Sequence, residues 1–456
     1  MPAPHAPTVT MSRRQIVPAK APLGAYAPSS GAGSWPWILA AAILAALGGW
    51  LLSRWLGERA PIVVGILHSR SGPTAPQERP LVDAEVLAIE EINRNGGLLG
   101  RQLRWVIVDG GTDGTTFARH AERLIRDERA DVIVGCWSMA SRRAVVPVVE
   151  ANNHLLVHPG RHEGFEESAN VVSIGPLPNQ QIAPAVAWCR EAMSARRFFL
   201  VGTDDAWSRA AGAFLGDQLS AIGATLVGEE YLPSGTLDVA PGIEGITAAN
   251  PDVVFSLLGG EASAALLRQL RESGVRPADV PVMMFGIGED ELRAIPREDV
   301  SGNYVVSGHF PGGDRASSQS FFAAFRARYG NDRPTSEQAM AAYEAVRLWA
   351  DAVREAGTAN VGTVRSTIDH QTLPSAEGVI AIDPESRHAW RNLAVGRVRG
   401  DGQVETLWST RGPTRPTPFP STRSHGEWTK FLALVQREKA ARRAVTAPEP
   451  RPGATP

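Results

Sequence analysis

From Pro61 onward, short runs of consecutive apolar residues alternate with segments whose apolar positions recur every three to four residues. Ile62–Leu67 reads as a fully apolar strand, and Val82, Val86, Ile89 and Ile92 lie on one face of the following helix, which Gly96-Gly97 stops. The pattern continues with strand 103–108, helix 116–127, strand 131–136, helix 140–152 and strand 155–158. It then starts again. Helix 180–193, strand 198–202, helix 207–222, strand 225–231, helix 239–249, strand 253–258, helix 262–273 and strand 282–285 form a second series. Continuous apolar strands separated by helices predict parallel sheets covered on both faces. The fold class is therefore α/β, with two doubly wound lobes. Later segments break the rhythm. Residues 304–308 read as a strand, 317–329 and 337–356 as long helices, and 378–382, 394–398 and 404–408 as antiparallel strands.

A different pattern precedes these lobes. Residues 1–34 are rich in Pro, Ala, Gly and Ser and are expected to be disordered. Trp35–Leu52 is then continuously apolar, with no charge between Lys20 and Arg54. Eighteen such residues reach ~27 Å as a helix, near the thickness of a bilayer's hydrocarbon core. Trp35, Trp37, Trp50 and Trp55 lie at its ends, where indoles favour the interface. Residues 35–55 are thus expected to be an uncleaved transmembrane anchor of the inner membrane, with the globular part in the periplasm. Secretion to the periplasm after signal cleavage is the alternative. The tail 436–456 is charged, then Pro/Ala-rich, and is expected to be disordered.

Composition removes several function classes. A formal net charge of -2 gives no field suited to nucleic acid. Cys136 and Cys189 form no CxxC pair and read as buried thiols. No GxxxxGK[ST] loop, no GxGxxG after the first strand and no GxSxG elbow occurs, so no cofactor and no catalytic role is expected. His154, His158 and His162 are spaced as a metal face would be on a helix, but Pro159-Gly160 forbids that helix. Ligands of open α/β sheets bind beyond the carboxyl ends of the strands, so the residues there are the candidates for a site.

Those residues carry a resemblance. Val134-Gly-Cys-Trp-Ser-Met-Ala-Ser-Arg-Arg-Ala-Val-Val-Pro-Val-Val-Glu150 is followed by Pro159, Glu163-Gly-Phe-Glu166 and Pro178-Asn-Gln-Gln181. Gly65-Ile-Leu-His-Ser-x-Ser-Gly72, Glu90-Glu-Ile-Asn-x-Asn-Gly-Gly97 and Arg415-Pro-x-Pro-Phe419 complete the set. In order and spacing, the stretch from Pro61 to Trp428 resembles the periplasmic type I solute-binding proteins, in particular their amide- and urea-binding branch. The resemblance implies a ligand clamped between hinged lobes and delivered to an ABC permease, or sensed by a partner. It also implies lobe 1 at 61–178 plus 306–370 and lobe 2 at 179–305 plus 371–415. A cytosolic amide-responsive regulator of the same fold is a further alternative.

Carried over residue by residue, the resemblance implies a pocket of Ser69, Trp137, Ser138, Met139, His158, Gly160, Arg161, His162, Asp205, Trp207 and Glu261. Trp137 matches the aromatic that covers a planar ligand. Met139 stands where the family has a hydroxyl, and His158-Pro159 stands where it has Tyr-Pro. Arg161 is suited to fork onto a carboxylate or phosphate, and Asp205 and Glu261 to answer an amino or guanidino group, so a small polar or zwitterionic solute is expected.

Overall fold

The computed structural model describes residues 35–72, 74–308, 310, 316–331, 333 and 335–446. The expected disorder of 1–34 lies outside the described residues. The chain divides into two compact units, 1–58 and 59–456. The first holds most of helix α1 (Trp35–Arg59), on which Ile38, Leu39, Ile43, Leu44, Leu47 and Trp50 are all exposed. The expected helix is therefore present. Among the described residues, however, no helix is long and apolar enough to cross a membrane.

The second unit opens with β1 (Ile62–His68), α2 (Ala75–Arg94), β2 (Leu103–Asp109), α3 (Gly114–Arg126), β3 (Val132–Gly135), α4 (Met139–Ala151), β4 (Leu156–His158) and β5 (Val171–Ser173). Its next stretch is α5 (Pro178–Met193), β6 (Arg197–Thr203), α6 (Ala206–Ala221), β7 (Thr225–Leu232), α7 (Ala240–Ala249), β8 (Val253–Leu257), α8 (Gly260–Glu272) and β9 (Val282–Phe285). Short helices α9 (Glu289–Ala294) and α10 (Arg297–Val300) lead to β10 (Tyr304–Ser307). Then follow α11 (Ala316–Tyr329), α12 (Glu337–Ala356), α13 (Val361–Thr367), β11 (Thr372–Ser375), β12 (Gly378–Ile382), β13 (Ala389–Trp390), β14 (Ala394–Val398), β15 (Val404–Ser409) and α14 (His425–Thr446).

The strands form two large sheets. The first has the order β2-β1-β3-β4-β5 and is parallel throughout. Alternation along β1 sends Ile62, Val64 and Ile66 to a core with α2 and α12, and Val63 and Leu67 to a second core with α3 and α4. The second sheet has the order β15-β14-β10-β9-β8-β6-β7, with β14 and β15 antiparallel at one edge. It is likewise covered on both faces. A small antiparallel sheet, β11-β12-β13, packs on lobe 1.

Two expected boundaries shift. Leu373, Ile380, Ile382 and Ala389 bury in the core of Ile62 and Trp349, so lobe 1 extends to β13 and the return to lobe 2 falls at Arg391 rather than at 371. Residues 436–446, expected as a tail, continue α14, whose first turns are anchored by buried Trp428 and Leu432. Those two side chains pack with Phe165 of lobe 1 and Ala210 of lobe 2, so the chain's end spans both lobes.

Candidate functional site

Three strand ends and one helix start converge between the lobes. After β3, Gly135 (φ 145) and Cys136 (φ 61) both adopt positive φ. Leu67 O would stand 2.1 Å from a β-carbon at Gly135, so only glycine fits there. This turn leads into Trp137, whose indole N–H donates to Gln338 Oε1 at the start of α12. After β4, Gly160 packs so tightly on Gly175 that a β-carbon at Gly175 would stand 2.0 Å from Gly160 O. Arg161 follows and reaches across to lobe 2.

The Arg161 guanidinium lies 4.3 Å from the ring centroid of Trp207, in the first turn of α6. Its Nη1 is buried and has no hydrogen-bond partner among the described residues. It also stands 2.5 Å from where Gly286 would carry a β-carbon, at the end of β9. Burial depresses the Arg161 pKa, against the opposing pull of Asp205, Glu337 and Glu291. Nη1 therefore keeps an unused donor beside the Trp207 ring. Trp207 Nε1 and Gln181 Oε1 are further buried atoms without a partner among the described residues. Gln181 Nε2 donates to Glu337 Oε2 at 3.3 Å, bringing α5 and α12 together beside Arg161.

The eleven sequence candidates separate into groups. Trp137, Gly160, Arg161, Asp205 and Trp207 come near one another where the lobes meet. Asp205 is also the N-cap of α6, accepting from Ser208 N at 2.8 Å. Ser138 caps α4 through reciprocal bonds with Ser141, which uses its hydroxyl locally. Met139 packs toward Phe165 and Trp428. Ser69 is buried, and its N–H donates to Glu78 Oε2 at 2.9 Å. Glu261 is exposed in the first turn of α8.

His158 and His162 are not at the cleft surface. Both are buried, edge to face at 5.9 Å, and His162 meets His388 in the same way at 4.7 Å. Nδ1 of His158 lies 3.2 Å from Gly135 O, and Nδ1 of His162 accepts from Gly164 N at 2.9 Å. Buried Arg142 closes this cluster, with Nη2 donating to Glu163 Oε1 and Nε to Glu166 Oε1 at 2.5 and 2.9 Å. Burial first, and then the Arg142 charge, hold both imidazoles well below their ordinary range and therefore neutral. These side chains brace the loop that carries Arg161. Among the described residues no group of His, Cys, Asp or Glu is arranged to hold a metal.

Glu337, Gln338, Glu291 and Gly286 were not legible as site residues. Glu337 sits in the first turn of α12, where an acidic residue also serves the helix dipole, so its sequence context gave no other signal. Gln181 belongs to the quoted Pro178-Asn-Gln-Gln181 motif, which was the one available pointer.

Two α/β lobes with a polar cleft between their strand ends define a solute-binding protein fold. The chain belongs to the family described as periplasmic binding protein domain, whose model matches residues 62–425. It is a binding protein and not an enzyme. It is 22% identical over 378 residues to Leu/Ile/Val-binding protein homolog 7 of Brucella suis, covering 76% of this chain and 92% of that one. A 119-residue segment is 25% identical to limonene hydroxylase of Geobacillus stearothermophilus, of which this chain spans only 22%. Among solved structures, a Rhodopseudomonas palustris solute-binding protein in complex with 4-hydroxybenzoate superposes with a TM-score of 0.70 at 19% identity, over 77% of this chain and 97% of that one. The branched-chain amino acid binding protein LivJ of Streptococcus pneumoniae, in complex with isoleucine, gives 0.66 at 18% identity, over 78% and 100%.

Proposed function

We propose that the protein captures a small carboxylate-bearing solute of amino-acid type between its lobes, outside the cytoplasm, for delivery to an ABC transporter. The observation that carries this reading is Arg161, half-buried at the interlobe boundary, with a buried Nη1 that has no hydrogen-bond partner among the described residues. Its planar fork suits a carboxylate, and Trp207 behind it supplies an apolar platform. Asp205, Glu337 and Glu291 surround the guanidinium and suit the amine of a zwitterion. The 4-hydroxybenzoate and isoleucine held by the two structural neighbours both carry a carboxylate. Residues 35–55 serve as the tether in this reading, supported by the exposed apolar side chains of α1.

Trp137 favours a second reading. It follows Gly135-Cys136 as the ligand-covering aromatic does in the amide- and urea-binding branch. Calorimetric titration of the purified protein with L-amino acids, benzoates, acetamide and urea separates the two. Binding of amino acids or benzoates, lost when the carboxylate is amidated, supports the first. Binding of urea or acetamide alone overturns it in favour of the second.

A further inference from the structure

The chain crosses between the lobes at 174–177, after β10 from Gly308 onward, and at 391–393. Described residues of all three crossings meet one buried cluster. Arg391, in the third crossing, donates from Nη1 to Ile174 O in the first at 3.1 Å and to Glu344 Oε2 of α12 at 3.2 Å. Its Nε pairs with Glu377 Oε1, in the β11–β12 turn, at 2.8 Å. The same Glu377 oxygen accepts from Asn392 N at 3.3 Å. In the second crossing, Gly308 N donates to Glu337 Oε1 at 3.1 Å. A β-carbon at Gly308 would lie 2.0 Å from Glu377 Oε2 and 3.1 Å from Glu337 Oε1, so both carboxylates close on one glycine.

The charges do not balance. Glu344, Glu377 and Arg391 are each no more than 2% exposed, and Glu337 is half-buried beside them. Among the described residues, three carboxylates thus face one guanidinium. Two neutral groups among the described residues also turn toward them: Ser375 Oγ donates to Glu344, and Gln181 Nε2 to Glu337. Arg161 acts on Glu337 only from a distance. Glu377 Oε2 has no hydrogen-bond partner among the described residues. Buried like charges this close do not all stay ionised.

We propose that this cluster is a proton-linked hinge, in which one proton held between Glu344 and Glu377 keeps the three crossings together and its loss loosens the lobes. Opening the lobes would admit water to the carboxylates and release that proton. The geometry is reinforced by the titration of Glu377, which burial and then the neighbouring carboxylates push up to about 8 despite Arg391. The sign follows: the closed arrangement binds the proton more tightly, so it is favoured at low pH and weakens as pH rises toward 8.

Hydrogen exchange of the full chain in detergent, without ligand, tests this independently of the proposed solute. Protection of the Gly308 and Asn392 amides, corrected for intrinsic exchange, is expected to fall by up to tenfold per pH unit, the limit for one proton, and to level off above about pH 8. E377Q, which cannot ionise, is expected to flatten this profile. E337Q, which removes one neighbouring charge, is expected to move the plateau to lower pH. A flat wild-type profile between pH 5 and 8 overturns the proposal. So does a wild-type slope retained in E377Q, or an unmoved plateau in E337Q.

Discussion

Arg161 and Trp207 come from opposite lobes and meet as guanidinium on indole, 4.3 Å to the ring centroid. Arg161 follows β4 in the first sheet, and Trp207 opens the helix after β6 in the second. The contact is thus both part of the cleft and a bridge across it. Under the proposed function, replacing Arg161 by Ala removes the group that receives the carboxylate. We expect affinity for the carboxylate solute to fall by ~30-fold or more, about 2 kcal/mol for a charged hydrogen-bonded contact. Arg161→Lys should recover only part of the loss, because an ammonium lacks the fork. Equal affinities of wild type and Arg161→Ala by calorimetry would remove Arg161 from the site.

Gly286 offers a subtler probe of the same cation. It has φ +76, and its missing β-carbon would stand 2.5 Å from Arg161 Nη1. The obstructing atom is the end of a flexible side chain. Gly286→Ala should therefore displace the guanidinium, with a cost of ~1 kcal/mol from the left-handed backbone. The expected result is weakened ligand binding with an unchanged circular dichroism spectrum. Undiminished affinity would show that Arg161 tolerates the shift.

His68 makes a pH prediction. It is fully buried at the end of β1, with Nδ1 3.0 Å from Glu78 Oε2 and Nε2 2.9 Å from Glu85 Oε1. Burial alone would lower its pKa, but the two carboxylates outweigh burial and raise it to about 10. The folded value exceeds the unfolded one, so the stabilisation is fully present below about pH 6.5 and is lost as pH rises through about 10. Urea midpoints should therefore decline across that window in the wild type and decline less in His68→Gln. Parallel pH profiles for the two proteins would exclude His68 as the source.

Arg142 is the buried cation of Glu163, Glu166 and the imidazoles it contacts, and the more exposed Arg143 pairs with Glu166 from outside. Arg142→Met would strand Glu163 in the interior, at a cost of ~3–5 kcal/mol. A second change, Glu163→Gln, should restore part of that loss. Denaturation of the single and double variants measures the coupling, and strictly additive effects would contradict it.

Trp428 fixes the chain's end to both lobes. Its ring stacks on Phe165 at 4.7 Å, and its Nε1 donates to Pro420 O at 2.8 Å. Arg423 lies over the same indole while forking onto Asp217 of α6 with two contacts of 2.8 Å. Trp428→Ala should cost ~3–5 kcal/mol, as expected for deleting a large buried aromatic. A melting temperature unchanged from wild type would show that this anchor contributes nothing.

The alternation of apolar strands and amphipathic helices determined the two α/β lobes by itself, because each period reports directly which face is buried. It also pointed to the strand ends as the place to look, while Trp137, Arg161, Asp205 and Trp207 were singled out by the family resemblance. The roles of neighbouring candidates were decided by tertiary structure. His158 is the last residue of β4, and its side chain turns into lobe 1 toward Arg142, while Arg161 three positions later crosses to lobe 2. Sequence spacing cannot tell these apart, since the turn through Pro159-Gly160 sets the direction. Glu337 and Glu377 join Arg161 and Gly308 only because long-range crossings bring distant segments to one hinge. Local pattern carries burial, whereas charge pairing across lobes depends on topology.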